Sequence, residues 1–195
     1  MSGWVRGPGH ASPATIGLGI AFFLGFIFMS SQLFAGEHAQ ATSPGKTKEA
    51  VGLTVGDRPP PFAANDLNGQ PQALATYQGQ VVVLHFWASW CPYCRGEIEE
   101  LVELHARWAS KGVKVLTVGL DEDVAVLKQF VTRAALPYPV VADADAPTSI
   151  AAQYGVSGIP VTYVLTREGH IASRLDGSAD IRGAVQHALD QPPPA

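Results

Sequence analysis

The longest apolar run comes first. From Ile16 to Met29 every residue is apolar or glycine, and no Asp, Glu, Lys or Arg lies between Arg6 and Glu37. Fourteen such residues fit the hydrophobic region of a secretory signal, whereas the twenty from Ile16 to Ala35 would span ~30 Å as a helix, enough for a bilayer core. Ala39-Gln40-Ala41 offers a cleavage site but lies far past the dense core, so an uncleaved anchor over residues 14–35 is expected, behind a short tail of residues 1–13. Arg6 is the sole Lys or Arg before this segment, whereas Lys46 and Lys48 follow it, so the basic residues do not favour a cytoplasmic amino terminus. A short tail ahead of a long, translocatable domain still makes export the simpler topology. Residues 36–50 (GEHAQATSPGKTKEA) are polar, small and turn-prone and read as a tether.

Beyond the tether, two periodicities alternate, which places a folded domain over 51–189 and a frayed tail over 190–195. Phe62 to Leu74 suits a short hairpin around Leu67-Asn68-Gly69, and Val81 to Trp87 (VVVLHFW) is a continuous run of buried-strand type. A helix is predicted from Pro92 to about Lys111, with Cys94, Ile98, Leu101, His105 and Trp108 along one face and Gly112 as its stop. Val113 to Gly119 reads as a second buried strand, after which Asp121 or Asp123 caps a helix whose stripe is Val124, Leu127, Val131 and Ala134. Val140 to Ala142, a short helix around Thr148 to Tyr154, strands from Val161 to Thr166 and from His170, and a last helix capped by Ser178 and carrying Ile181, Val185 and Ala188 complete the series. Strands alternating with helices imply an α/β domain with a central, partly parallel sheet covered on both faces.

Composition removes several functions. The net charge is −4 with no Lys/Arg-rich run, which argues against nucleic acid as a partner. Six scattered histidines and two cysteines do not make a closed zinc site. The domain is large enough to fold without a staple, and a bridge closing so short a loop removes little unfolded-state entropy.

The two cysteines therefore demand another explanation. They lie in HFWASWCPYCRGE, where a strand pattern gives way to a helical one. With Cys91 at the N-cap and Pro92 at the first helical position, the free N–H groups of the first turn face the Cys91 sulfur and the helix dipole favours its thiolate. The thiolate is the attacking species in disulfide exchange, so Cys91 is the candidate nucleophile. Cys94, one turn on and facing the core, is placed to resolve the mixed disulfide, and Trp90 and Tyr93 would form an apolar docking surface. A Cu(I) clip is the competing reading, because soft thiolates bind that ion; the only methionines, Met1 and Met29, lie outside the domain.

W-C-x-x-C after a buried strand, with Gly158-Ile159-Pro160 entering a later strand, resembles thioredoxin. More narrowly, the opening VGLTVGDRPPPFAANDLNGQ, the FWASWCPYCRGE core, the extra segment between Asp121 and Tyr154, and YGVSGIPVTYVLTREGHI are similar to the TlpA/ResA/CcmG type of membrane-anchored extracytoplasmic thiol–disulfide oxidoreductases. The resemblance implies a thioredoxin-like fold, Cys91 as nucleophile, Cys94 as resolving thiol, and Pro160 as a cis-proline that turns the backbone of Ile159 towards an extended substrate. Glu97 falls where this family carries a functional carboxylate, and its alternative is a solvated helix acid. His85 stands where thioredoxins place a buried aspartate and the TlpA-like branch commonly has asparagine. It is either a proton relay to Cys94 or a neutral, hydrogen-bonded core residue. Cys-Pro-Tyr-Cys is a glutaredoxin-like centre, a departure that bears on redox poise rather than fold.

Together these features predict a monomeric, membrane-tethered oxidoreductase facing the periplasm, which needs no cofactor beyond its own disulfide. By resemblance it would draw electrons from a membrane thiol transporter and serve apocytochrome c or metal-site assembly proteins. A disulfide-donating oxidase of the same fold and a non-enzymatic copper or haem-assembly chaperone are the alternatives.

Overall fold

The computed structural model describes residues 50–191. The expected anchor over 14–35 and most of the tether and tail lie outside the described residues. Among those described, no helix is long and apolar enough to cross a membrane.

Five strands make the central sheet: β3 (Val81–Trp87), β4 (Val113–Gly119), β5 (Val140–Ala142), β6 (Val161–Leu165) and β7 (Ile171–Asp176). Their order is β5-β4-β3-β6-β7, with β3, β4 and β5 parallel and β6 and β7 antiparallel to their neighbours. The sheet is mixed. A two-stranded hairpin, β1 (Ala63–Asn65) and β2 (Pro71–Ala73), precedes it, and the Asp66–Val141 bridge fastens the hairpin to the β5 edge.

The continuous apolar run of β3 is explained by its central place, because both faces are covered. Val81, Val83 and Trp87 pack with Ile98, Leu101 and Leu104 of α1 (Pro92–Trp108) and with Ile181, Val185 and Ala188 of α4 (Ile181–Asp190). Leu127 of α2 (Val124–Ala134) joins the same layer, with the Trp87 ring 5.4 Å from that of Phe130. Val82, Leu84 and Phe86 pack the other way, against Phe62 and against Ile150, Ala151 and Tyr154 at α3 (Ile150–Gln153). Each large side chain so buried contributes ~1.5–3 kcal/mol of transfer free energy.

Several boundaries differ from the pattern-based expectation. The main helix ends at Trp108, with a 3₁₀ turn over Ala109–Lys111, and Gly112 closes it in the left-handed conformation at φ 79°. The buried face of α1 is Cys94, Glu97, Ile98, Leu101 and Leu104; His105 and Trp108 are only partly covered. Asp123 caps α2 by accepting from the N–H groups of Ala125 and Val126, which leaves Asp121 for another task. Asp180, not Ser178, caps α4: the helix starts at Ile181, so the side chain at the cap position is that of Asp180, which accepts from the Gly183 N–H at 2.8 Å.

Candidate active site

The site lies where the carboxyl end of β3 meets the first turn of α1. After Trp87 the chain turns sharply, with the Cys91 N–H donating to the Ala88 carbonyl at 3.1 Å. Cys91 is then the N-cap residue of α1 in extended conformation, Pro92 occupies the first turn, and the Cys91 sulfur accepts from the Cys94 N–H at 3.2 Å. This contact is what the local pattern demands: a first-turn N–H without an intrahelical partner is satisfied by a sulfur in place of the usual oxygen.

Cys91 and Cys94 are joined as a disulfide, with Cα atoms 5.3 Å apart. Cys94 is completely buried, whereas Cys91 keeps 3% of its surface accessible. An incoming thiol can reach only Cys91. Beside it, Trp90 and Tyr93 are 64% and 73% exposed, an unusual state for large rings and one that leaves apolar area free for a partner. Pro92 is also exposed, and Ile159 is partly buried between the two core layers. The Ile159–Pro160 peptide is cis, and Ile159 lies just ahead of the β6 ladder, which begins to pair at Val161.

His85 and Glu97 are brought together beneath the helix. His85 is fully buried on β3, its Nδ1 2.9 Å from the hydroxyl of Thr162, its register partner on β6. The same Nδ1 is 3.6 Å from Oε2 of Glu97, one turn beyond Cys94 on α1. Burial pushes the imidazole down to about 3, so His85 is neutral throughout the physiological range. Its Nε2 has no hydrogen-bond partner.

Glu97 is no surface acid like its helix neighbours: 6% of it is exposed, and neither carboxylate oxygen makes a full hydrogen bond. Burial pushes its carboxyl up to about 7, and the charge of Glu100 adds to the rise. The Ala179 backbone N–H attracts the carboxylate without forming a well-shaped hydrogen bond and pulls the value partly back. The pair is thus a neutral imidazole facing a carboxyl that titrates near neutrality, not a salt bridge.

Three residues that sequence pattern did not place at the site belong to it. Thr162 orients the His85 ring. Asp121, 3% exposed at the end of β4, accepts from the backbone N–H of Ser89 at 2.9 Å and from its hydroxyl. Ser89 is held on its other side by Arg95, whose Nη2 donates to its carbonyl at 3.2 Å. A polar residue inside a strand run is the sole local signal for Thr162; for Ser89 and Asp121, 32 positions apart, there is none. Among the described residues no group of three or more His, Cys, Asp or Glu side chains is arranged to hold a metal ion.

Comparison with known proteins agrees with this geometry. Residues 55–174 match the AhpC/TSA family. The thiol-disulfide oxidoreductase ResA of Geobacillus thermodenitrificans (strain NG80-2) is 30% identical over 139 residues, which cover 71% of this chain and 79% of that protein. The crystal structure of a putative thiol:disulfide interchange protein DsbE from Chlorobium tepidum superposes with a TM-score of 0.65 at 29% identity, covering 71% of this chain and 99% of that one. A secreted Mycobacterium tuberculosis disulfide oxidoreductase homologous to E. coli DsbE superposes with a TM-score of 0.55 at 26% identity, covering 67% and 96%.

Proposed function

We infer, from the premise that this chain belongs to the AhpC/TSA family and is a thiol–disulfide oxidoreductase of the ResA and DsbE type, that it reduces client disulfides outside the cytoplasm. The observation that carries the chemistry is the pair of unequal sulfurs at a helix N-terminus, one reachable and one sealed. In the dithiol form the Cys91 thiolate, favoured by the first-turn N–H groups, attacks one sulfur of the client disulfide. A Cys91–client bond forms as the client S–S bond breaks, and the first client thiolate leaves. Cys94 then loses its proton and attacks the Cys91 sulfur, which releases the second client thiolate and restores the Cys91–Cys94 bond. Two electrons pass from the protein to the client.

Glu97 is the proton acceptor for Cys94 in this reading. A carboxyl near 7, buried on the same helix face one turn away, is ionised often enough at neutral pH to take a proton and protonated often enough to return it. His85 acts as a fixed neutral dipole beside Glu97 rather than as an acid. Trp90, Pro92 and Tyr93 offer the client an apolar surface, and the Ile159 main chain, next to cis-Pro160, can pair with an extended client segment.

The same proposal extends to location, donor and clients. The apolar run from Ile16 to Met29 supports a membrane tether, and the secreted Mycobacterium relative supports an extracytoplasmic site of action. A domain so placed is a monomer that takes electrons from a membrane thiol transporter and passes them to apocytochrome c or metal-site assembly proteins. The test is the reduction potential of the Cys91–Cys94 couple, equilibrated against glutathione. A value of about −270 mV or lower fits a reductase kept reduced by a membrane partner, and a value approaching about −120 mV makes the protein a disulfide donor and overturns the proposed direction.

A further inference from the structure

The contacts of Ser89 straddle the redox pair in a way the exchange chemistry does not require. Ser89 lies two residues before Cys91, and Arg95 immediately follows Cys94. Three atoms of Ser89 are engaged: its N–H and hydroxyl donate to the buried carboxylate of Asp121, and its carbonyl accepts from Nη2 and Nε of Arg95 at 3.2 and 3.4 Å. One arm comes from the end of β4 and the other from the first turns of α1. The main chain on either side of Cys91–Cys94 is therefore tied together by bonds that involve neither sulfur.

We propose that Asp121, Ser89 and Arg95 form a non-covalent brace that keeps Cys91 and Cys94 at closing distance once their disulfide is reduced. In the oxidised state the S–S bond already holds the two sulfurs. In the dithiol state that restraint is gone, and what holds the Cys91 turn to the first turn of the helix is its main-chain and side-chain contacts. The brace stays made, because none of its donors or acceptors is a sulfur. The three residues are positioning residues: they set the effective concentration of one thiol at the other, and so the ease with which the pair closes on a mixed disulfide. This inference rests on the Cys91–Cys94 couple cycling, and not on the direction of electron flow proposed above.

The test equilibrates the full-length chain with reduced and oxidised glutathione. Two glutathione thiols become one glutathione disulfide as Cys91–Cys94 takes up two electrons and two protons, so the equilibrium constant reports the effective concentration directly. Arg95→Met removes one arm at an exposed position, where the fold is not at risk. A looser dithiol closes less readily, so the equilibrium should move about tenfold towards the dithiol, ~30 mV to less negative potential. Simple electrostatics predicts the opposite sign, because losing a positive charge beside Cys94 disfavours the thiolate and hence the reduced form. Ser89→Ala leaves both charges and the main-chain contacts in place and removes only the hydroxyl bond to Asp121, so it should move the equilibrium the same way as Arg95→Met but by less. No movement in either variant, or movement towards the disulfide, overturns the brace. A parent protein that fails to exchange with glutathione at all would instead remove the redox couple, a result distinct from an unmoved variant.

Discussion

His85 and Glu97 should hide one another in the pH dependence of stability, and a single substitution should reveal both. Between pH 4.5 and 6.5, the ordinary values of the two groups, the unfolded chain carries one proton on the pair, held by the imidazole while the glutamate is ionised. The native chain also carries one, held by the Glu97 carboxyl, which burial raises to about 7, while His85, lowered to about 3, is neutral. Equal proton counts give no slope, so the pair leaves stability flat across this interval. Glu97→Gln unbalances it. The remaining His85 has a folded pKa below its unfolded one, so the unfolded state binds the proton more tightly. Its stabilising contribution is present above pH 6.5 and is lost as pH falls towards about 3. The slope approaches about 1.4 kcal/mol per pH unit only in mid-interval and falls towards about half of that at the ends, where one unfolded group is half titrated, so the variant should lose about 2 kcal/mol relative to its parent between pH 6.5 and 4.5. His85→Asn should do the reverse: the raised Glu97 stabilises the native state below pH 4.5 and loses that contribution as pH rises through about 7. Both side chains are under 10% exposed, so solvent screening takes little from these figures. Urea unfolding of the oxidised parent and each variant at pH 4.5, 5.5 and 6.5 measures the differences, with every other titrating group cancelling. Parallel stability curves for parent and Glu97→Gln over that interval would mean that Glu97 is not protonated in the native protein.

Other substitutions test the site and its scaffold. Cys94→Ser should accumulate a covalent adduct with a disulfide client through Cys91, visible as a mass increase that dithiothreitol removes, whereas Cys91→Ser should form none, because Cys94 is sealed. Gly119→Ala should cost ~1–3 kcal/mol, because its new Cβ would lie 2.5 Å from Cδ2 of the fully buried Leu127. In chemical denaturation the Gly119→Ala, Leu127→Val double variant should lose less than the sum of the two single changes, the sign of a shared contact. Asp123→Ala removes the acceptor of two first-turn N–H groups of α2 and should lower stability by ~1 kcal/mol, with the glutathione equilibrium unchanged.

Features that depend on neighbours a few residues away were readable before any fold was known. The span of β3 follows from an unbroken apolar run, and the start of α1 from a cysteine and a proline at cap and first turn. The inequality of the two sulfurs follows from a spacing of three on a helix, which turns Cys94 inward. The hairpin and the alternation of strands with helices were legible for the same reason, since turn residues and periodicity are local, whereas the mixed pairing of the strands was implied by the family resemblance. Where a local signal had two candidates it failed. Ser178 and Asp180 both have capping side chains, and only the position at which the chain leaves β7 and enters the helix, at Ile181, decides for Asp180. Family resemblance singled out Glu97 among four helix acids, but its burial came only when the sheet and the start of α4 closed over it. The neutral state of His85, its contact with Thr162 across 77 positions, and the Asp121–Ser89–Arg95 ties needed strands and a helix to meet. Burial and charge environment are properties of assembled surfaces, and no run of adjacent residues encodes them. The sequence placed the reactive sulfurs, and tertiary packing decided which protons and which backbone they work with.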